Sequence, residues 1–387
     1  MTLQWVMRIR VVHFCGMGLG GTEKTAQIFC RHLDRASYEV FVAGIKFRPQ
    51  PGDYLKARAW GALGVPRYRS RLSQWKANNA RIPLFREVVG ADHLLLAPTW
   101  EELKPALLNI RPDILHIHYS GDPGPPISDE ETMSTVPITV TTNVFNNENT
   151  SPQHRKVARM LFISHELRRT AVWARDDSRS RVLYYPIETP YSQDNLRAEL
   201  GIPADAFIVG RTGRPSASIH HPISLRAYRQ IQTPNTWFVA LAPPLVMEQE
   251  ARALGLSRFV SLAPRVDDTW LSKYYNTIDV LAHARRDGET FGCNIAEAMM
   301  HGKPVVSHRS PLANAQEEII GDTGFVTGHD DDAAYAGHLL RLRDDVAFRR
   351  ELGEKARQRA LACFDALRIT RQLEAIYDEV RNEAGVK

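Results

Sequence analysis

Short runs of aliphatic and β-branched residues recur along the whole chain, separated by longer stretches of helical character. In the first half, 8–14, 39–43, 113–118, 137–142, 160–164 and 181–185 read as strands, with a helix over 22–33. The second half repeats the pattern with strands at 206–211, 237–241, 259–262, 279–283, 303–307 and 324–327 and helices including 271–275 and 295–300. Strands alternating with helical segments imply parallel sheets with helical crossovers. Unbroken apolar runs such as Phe207-Ile-Val and Val280-Leu-Ala suit strands covered on both faces. The pattern is interrupted at 186–194, where two prolines and polar residues mark a domain boundary. The tail from Ala333 to about Glu383 is helix-forming and breaks around 363–365.

Length agrees with that division, because 387 residues exceed one ordinary core. The expected domains are 1–188, 189–368 and a terminal helix at 369–387 that crosses back to the first. No apolar run approaches the length of a membrane-spanning helix. Arg8 and Arg10 interrupt any leader-like stretch, so no signal peptide is expected, and Met7 is a candidate original start. Cys15, Cys30, Cys293 and Cys363 are far apart in sequence and read as thiols of a reducing, cytoplasmic compartment. A net charge of +5 is unevenly placed. Between 46 and 87, ten Lys and Arg face only Asp53 and Glu87, with Phe47, Tyr54, Trp60, Tyr68, Trp75 and Phe85 interleaved. Such a patch suits an anionic membrane surface, an anionic acceptor, nucleic acid or plain solvent. No nucleic-acid motif accompanies it, so nucleic acid is not expected.

The chemistry concentrates in Asp287-Gly-Glu-Thr-Phe-Gly-Cys-Asn-Ile-Ala-Glu297, which leads to Gly302-Lys-Pro-Val-Val306. Glu289 and Glu297 are eight residues apart, and eight helical residues turn through about 800°, so two helical side chains would diverge by about 80°. Convergence on one ligand therefore places Glu289 before the helix and Glu297 in its second turn. The open N–H groups near 291–294 suit an anion.

A second cluster, Cys15-Gly-Met-Gly-Leu-Gly-Gly-Thr-Glu-Lys24, follows the first strand. Gly16, Gly18 and Gly21 satisfy the dinucleotide fingerprint, which keeps an NAD-dependent oxidoreductase open. The acid that the fingerprint needs after the second strand is missing from Val40-Phe-Val-Ala-Gly44. A P-loop reading fails at Glu23, which stands where glycine is required before Lys24-Thr25.

The Glu-x7-Glu block resembles that of the retaining, nucleotide-sugar-dependent glycosyltransferases of family 4, whose GT-B fold sets two Rossmann-like α/β domains facing each other across a cleft. The resemblance implies that Glu289 holds donor-sugar hydroxyls and Glu297 the nucleotide ribose, with Phe291, Gly292 and Cys293 in the same donor-binding block. Gly20-Gly21-Thr-Glu resembles the family's first loop, near the donor phosphate and the acceptor. Arg211 matches the Arg that follows a Gly after the second domain's first strand, with Arg214 a second candidate for the diphosphate. The Lys that usually follows is missing; His220 and His221 lie nearest.

His116 and His118 alternate on one face at the end of 113–118, and the resemblance brings His118 near the acceptor or donor sugar. Asn143 stands where the family often has His. The implied catalytic set is Glu289, His118 and Arg211. The resemblance also implies retention by front-face attack within an ion pair, and no nucleophile is evident from the sequence. Asp330-Asp-Asp332 reads as helix capping, so neither metal nor cofactor is expected beyond the nucleotide diphosphate sugar. The donor lies mainly in the second domain and a glycan, lipid-linked or small-molecule acceptor mainly in the first. The location is cytoplasmic, with peripheral contact at the inner face of a membrane through the basic stretch. A nucleotide-sugar epimerase and a non-catalytic sugar-nucleotide-binding relative remain open beside the oxidoreductase.

Overall fold

The computed structural model of the chain describes residues 8–63 and 65–386; Met7 and the side chains of Arg67 and Arg69 lie outside the described residues. The chain forms two compact units. One comprises Met1–Ile163, Arg168–Pro186 and Leu367–Lys387, the other Ser164–Leu167 and Ile187–Ala366.

The first unit is built on a seven-stranded parallel sheet. Its strands are β1 (Ile9–Phe14), β2 (Tyr38–Ile45), β3 (Leu94–Ala97), β4 (Ile114–Tyr119), β5 (Ile138–Asn143), β6 (Arg159–Phe162) and β7 (Ser180–Val182). Their order is β3-β2-β1-β4-β5-β6-β7. Alternation along the strands feeds two cores. Val11, Val40 and Ile114 join one with Phe29, Leu373 and Tyr377, and Val12, Phe41 and Leu115 join the other with Leu103 and Leu107. Burial on both faces explains the unbroken apolar runs in the sequence. Strand β3 escaped sequence reading because Leu94-Leu-Leu-Ala97 has no β-branched residue. The basic stretch folds into the helices Pro51–Ala62, Pro66–Ala77 and Ile82–Val89.

The second unit carries β8 (Phe207–Thr212), β9 (Thr236–Leu241), β10 (Phe259–Leu262), β11 (Val280–Ala282), β12 (Gly288–Glu289), β13 (Val305–His308), β14 (Ala313–Asn314) and β15 (Phe325–Thr327). Six form a parallel sheet in the order β10-β9-β8-β11-β13-β15, while β12 and β14 pair separately. Val209, Phe238, Val280 and Val306 pack beneath helices carrying Tyr228, Tyr335 and Leu339.

The units divide at Pro186 because Ile187 is already tied into the second: its N–H donates to the Phe364 carbonyl at 2.7 Å and its carbonyl accepts from Ala366 N–H at 3.0 Å. The helical tail has two breaks, giving Asp332–Asp344, Val346–Phe364 and Ala366–Ala384. The first break, unanticipated from sequence, falls at Asp345, whose carboxylate caps the next helix by accepting from Phe348 N–H at 2.9 Å.

Candidate functional site

The acids at 289 and 297 flank a turn that glycine makes possible. Gly288 has φ +68°, and a Cβ there would lie 1.8 Å from the Ala313 carbonyl oxygen. This close approach pairs β12 with β14 and brings Glu289 N–H to Gln316 Oε1 at 3.2 Å. Gln316 in turn donates to the His308 carbonyl at 3.0 Å. Ser164, grouped with this unit, pins the next residue by donating from Oγ to the Thr290 carbonyl at 2.7 Å.

The Glu289 side chain is 11% exposed and is held from two directions. His283, just past β11, approaches Oε1 through Nε2 at 3.0 Å, its Nδ1 resting 2.9 Å from Ser307 Oγ. Arg285 reaches both carboxylate oxygens at 3.4 Å while forking onto Asp287 at 2.6 and 2.9 Å. Burial alone would raise the Glu289 pKa, but the Arg285 charge, the hydrogen bond from His283 and the Arg214 charge outweigh it and hold the carboxyl below its usual range. Glu289 is therefore a buried, ionised acceptor with a fixed direction.

The helix Cys293–Met300 begins at Gly292, which is left-handed at φ +93°. A Cβ at that position would press on Ile295 and on the Glu289 side chain. Glu297 projects from the second turn, where Tyr275 Oη donates to it at 2.7 Å. Burial, then the neighbouring Glu297 charge, pushes the Tyr275 hydroxyl well above its usual range, so it stays a donor. Phe291 is buried edge-on against Phe364. Cys293 is partly exposed at the helix start. Asn294 ties the helix to the end of β8 by donating to the Thr212 carbonyl at 2.8 Å.

Arg211, the penultimate residue of β8, is only 3% exposed. Burial pulls its pKa down to about 10, so the guanidinium remains charged at neutral pH among Tyr274, Arg285 and Glu289. Arg214 is exposed two residues past β8. Where the usual Lys is missing, His220 is buried against Glu250 at 2.7 Å, and His221 lies 3.2 Å from Asp330. Asp331 caps the helix Asp332–Asp344, and Asp330 and Asp332 together clamp Arg226.

In the first unit Gly20 is the N-cap of the helix Gly21–His32, and the Glu23 carboxylate turns back against it: a Cβ on Gly20 would fall 2.0 Å from Glu23 Oε2. An acid over the loop, with β2 ending Gly44-Ile45, disfavours a pyrophosphate bound in the dinucleotide manner. His118 is 4% exposed, its Nε2 2.9 Å from His13 Nδ1. His116 beside it bonds Tyr377 Oη at 2.6 Å and Thr142 Oγ1 at 2.7 Å. Both rings are enclosed.

The second unit thus gathers Glu289, Phe291, Gly292, Cys293, Glu297 and Arg211. Gly20, Gly21 and His118 belong to the first. Sequence reading missed His283, Arg285, Tyr275 and Gln316. His283 and Arg285 carried a usable signal, since alternation past the end of β11 sets them on one side just before Asp287. Gln316 carried none, because its role depends on a turn closed by β14.

Residues 192–359 match the family model "Glycosyl transferases group 1". The chain is 30% identical over 186 residues to a D-inositol 3-phosphate glycosyltransferase of Corynebacterium urealyticum, covering 44% of this chain and 43% of that one. It is 30% identical over 118 residues to an N-acetyl-alpha-D-glucosaminyl L-malate synthase of Bacillus anthracis, covering 29% of this chain and 30% of that one. The chain thus spans less than half the length of the curated relatives it matches. Among solved structures, Anabaena HepE in complex with UDP and glucose aligns with a TM-score of 0.65 at 18% identity, over 96% of this chain and 100% of that chain. A glycosyltransferase from Rickettsia africae aligns with a TM-score of 0.69 at 12% identity, over 96% and 98%. Both units therefore have the parallel-sheet α/β architecture of the GT-B fold.

Proposed function

We propose that this chain, whose residues 192–359 carry the group 1 glycosyltransferase domain, moves a sugar from a nucleotide diphosphate sugar to a glycan, lipid-linked or small-molecule acceptor. The observation that carries this reading is Glu289: a buried carboxylate kept ionised by Arg285 and His283, one short turn before the helix that bears Glu297. In this reading Glu289 accepts hydrogen bonds from donor-sugar hydroxyls. Glu297, braced by Tyr275, accepts from the ribose diol.

Departure of the diphosphate builds negative charge at the leaving oxygen and positive charge at the anomeric carbon. Arg211, fixed and charged, and Arg214 balance the leaving group, with the start of the helix Cys293–Met300 adding N–H groups. Arg214 takes the part of the missing Lys, because a guanidinium binds phosphate oxygens in pairs. The acceptor hydroxyl attacks on the face the diphosphate leaves, giving retention, and the departing phosphate oxygen takes its proton. Arg211 and Arg214 make a metal at the diphosphate unnecessary.

The exposed apolar residues Leu55, Trp60 and Leu63 beside Lys56 and Arg58 support peripheral contact with an anionic bilayer on the cytoplasmic side. Sedimentation with anionic vesicles, and none with neutral ones, is the outcome that this contact requires.

The solved relative in complex with UDP and glucose favours UDP as the carrier. The deciding experiment is a thermal-shift panel of UDP, GDP, ADP and NAD in EDTA. A nucleoside diphosphate at about 100 times its dissociation constant adds roughly 2.7 kcal/mol, a shift of several degrees. Loss of that shift in Glu297→Ala upholds the reading. Stabilisation by NAD alone overturns it in favour of the oxidoreductase. With the base known, the anomeric proton coupling of the product decides retention.

A further inference from the structure

Three histidines that the donor site does not use converge in the second unit. His308 ends β13, His329 follows β15, and His221 follows the turn after β8. One ring nitrogen from each lies within 4.8 Å of the other two. The rings of His221 and His308 are stacked at a slant, 4.4 Å between centroids, and His329 sits 5.5 and 6.1 Å from them.

His308 is the anomaly. It is 1% exposed, and neither ring nitrogen meets a partner in good hydrogen-bond geometry, the Arg309 backbone being the one group near enough to act on it. A buried imidazole normally satisfies at least one nitrogen, because a polar group left unmet away from water is destabilising. His329 supplies the second clue. Its Nδ1 lies 3.2 Å from the Arg309 carbonyl, which can only accept, so Nδ1 carries a proton. Its Nε2 faces Asp330 Oδ2 at 3.4 Å, and the other oxygen of the same carboxylate lies 3.2 Å from His221 Nε2. That nitrogen reaches the carboxylate through a proton or through a cation held between them. An imidazole whose far nitrogen donates to a backbone carbonyl is also the usual arrangement of a metal-binding histidine. Asp330 is held in this place at φ +57°, a backbone conformation that few residues other than glycine adopt, by Arg226 at 2.9 Å.

We propose that His221, His308 and His329, with Asp330, form a zinc-binding site in the second unit. Three imidazoles and one carboxylate suit a borderline divalent transition metal and not the harder magnesium or calcium. Zinc–nitrogen bonds of about 2.0–2.1 Å set ligand nitrogens about 3.3 Å apart in a tetrahedron, so the present spacing closes by at most about 1.5 Å. The exposed His329 provides the way in. His221 pays a small penalty: its Nδ1 now accepts from Ile223 N–H at 3.3 Å, and coordination through Nε2 gives up that long bond. The site borders the acid loop, because Gln316 joins the His308 carbonyl to Glu289 N–H. It does not depend on the transferase reading.

The test uses the full chain stripped of metal with EDTA and then desalted. Zinc is titrated against a chromophoric chelator, and cobalt(II) is added separately for its visible spectrum. One equivalent of zinc should bind, and cobalt should give the intense bands of a four-coordinate centre. His329→Ala, a surface change, should lower zinc affinity by more than about 100-fold, beyond the loss of an outer-shell partner. His308→Phe, which keeps the buried ring, should do the same. Unchanged affinity in both variants overturns the site. So does loss of binding in His118→Asn alone, which would move the zinc to the enclosed cluster of His13, His116 and His118. A chain whose zinc binding is lost in His308→Phe and His329→Ala, and which binds no nucleoside diphosphate, would uphold this site while removing the donor reading.

Discussion

Glu289 shows how one side chain acquires its properties from its neighbours. A carboxylate this buried would hold its proton more tightly, yet Arg285 and His283 reverse the direction. Glu289→Gln keeps the shape and loses the charge. Transfer should fall by about 10²–10³-fold in kcat/KM, the scale seen when one preorganised polar group is removed from a reacting centre. Arg285→Ala leaves the carboxylate to its burial, so the acid limb of the pH–rate profile should move to higher pH. The same logic with opposite sign applies to His118, whose pKa burial lowers from 6.5 to about 3. Between those values the unfolded chain binds a proton that the folded one refuses, so stability falls as pH drops below 6.5. The slope is about 1.4 kcal/mol per pH unit for such a group. His118→Asn should remove about 2 kcal/mol of the stability lost between pH 6.5 and 5, measured by urea denaturation. Sequence pointed to both residues, Glu289 by its motif and His118 by its strand end. Neither protonation state was legible, since each depends on partners that are distant in sequence or beyond a turn.

At the scale of elements, the loop that carries Glu289 is a turn, two residues of strand and a helix start, and glycine permits the turn and the helix start. Gly288→Ala would force a Cβ into the Ala313 carbonyl at positive φ. The β12–β14 pair should part at a cost above about 1 kcal/mol, lowering Tm by about 2–4 °C or more and weakening nucleotide-sugar binding. Equal Tm and donor affinity in the variant would show that the pairing matters to neither. Strand and helix positions in this region were readable because period and turn residues are local signals. The pairing of β12 with β14 was not, because a two-residue strand has no period.

At the scale of the whole chain, the final helix Ala366–Ala384 belongs largely to the first unit although it follows the second in sequence. Tyr377 on that helix is fully buried and bonds His116, while Arg159 holds Glu379 at 2.8 Å and also Glu383. Tyr377→Ala should cost about 3–5 kcal/mol, as aromatic truncation in a core does. Amides of β4 should exchange faster, and those of β11 unchanged. Tyr377→Phe should cost about 1–3 kcal/mol through the unmet imidazole alone. The sequence by itself determined the two α/β units, their parallel strands, the break near Pro186 and the positions of Glu289, Glu297 and Arg211, because these follow from hydrophobic period, turn chemistry and motif spacing within short windows. Only the tertiary structure decided what surrounds them. The clamp of His283 and Arg285, the brace of Tyr275, the relay through Gln316 and the meeting of His221, His308 and His329 each join strand ends tens of residues apart or depend on a turn closed elsewhere. Side-chain charge and partnership at such points are set by burial and distance, and neither exists before the sheet is assembled.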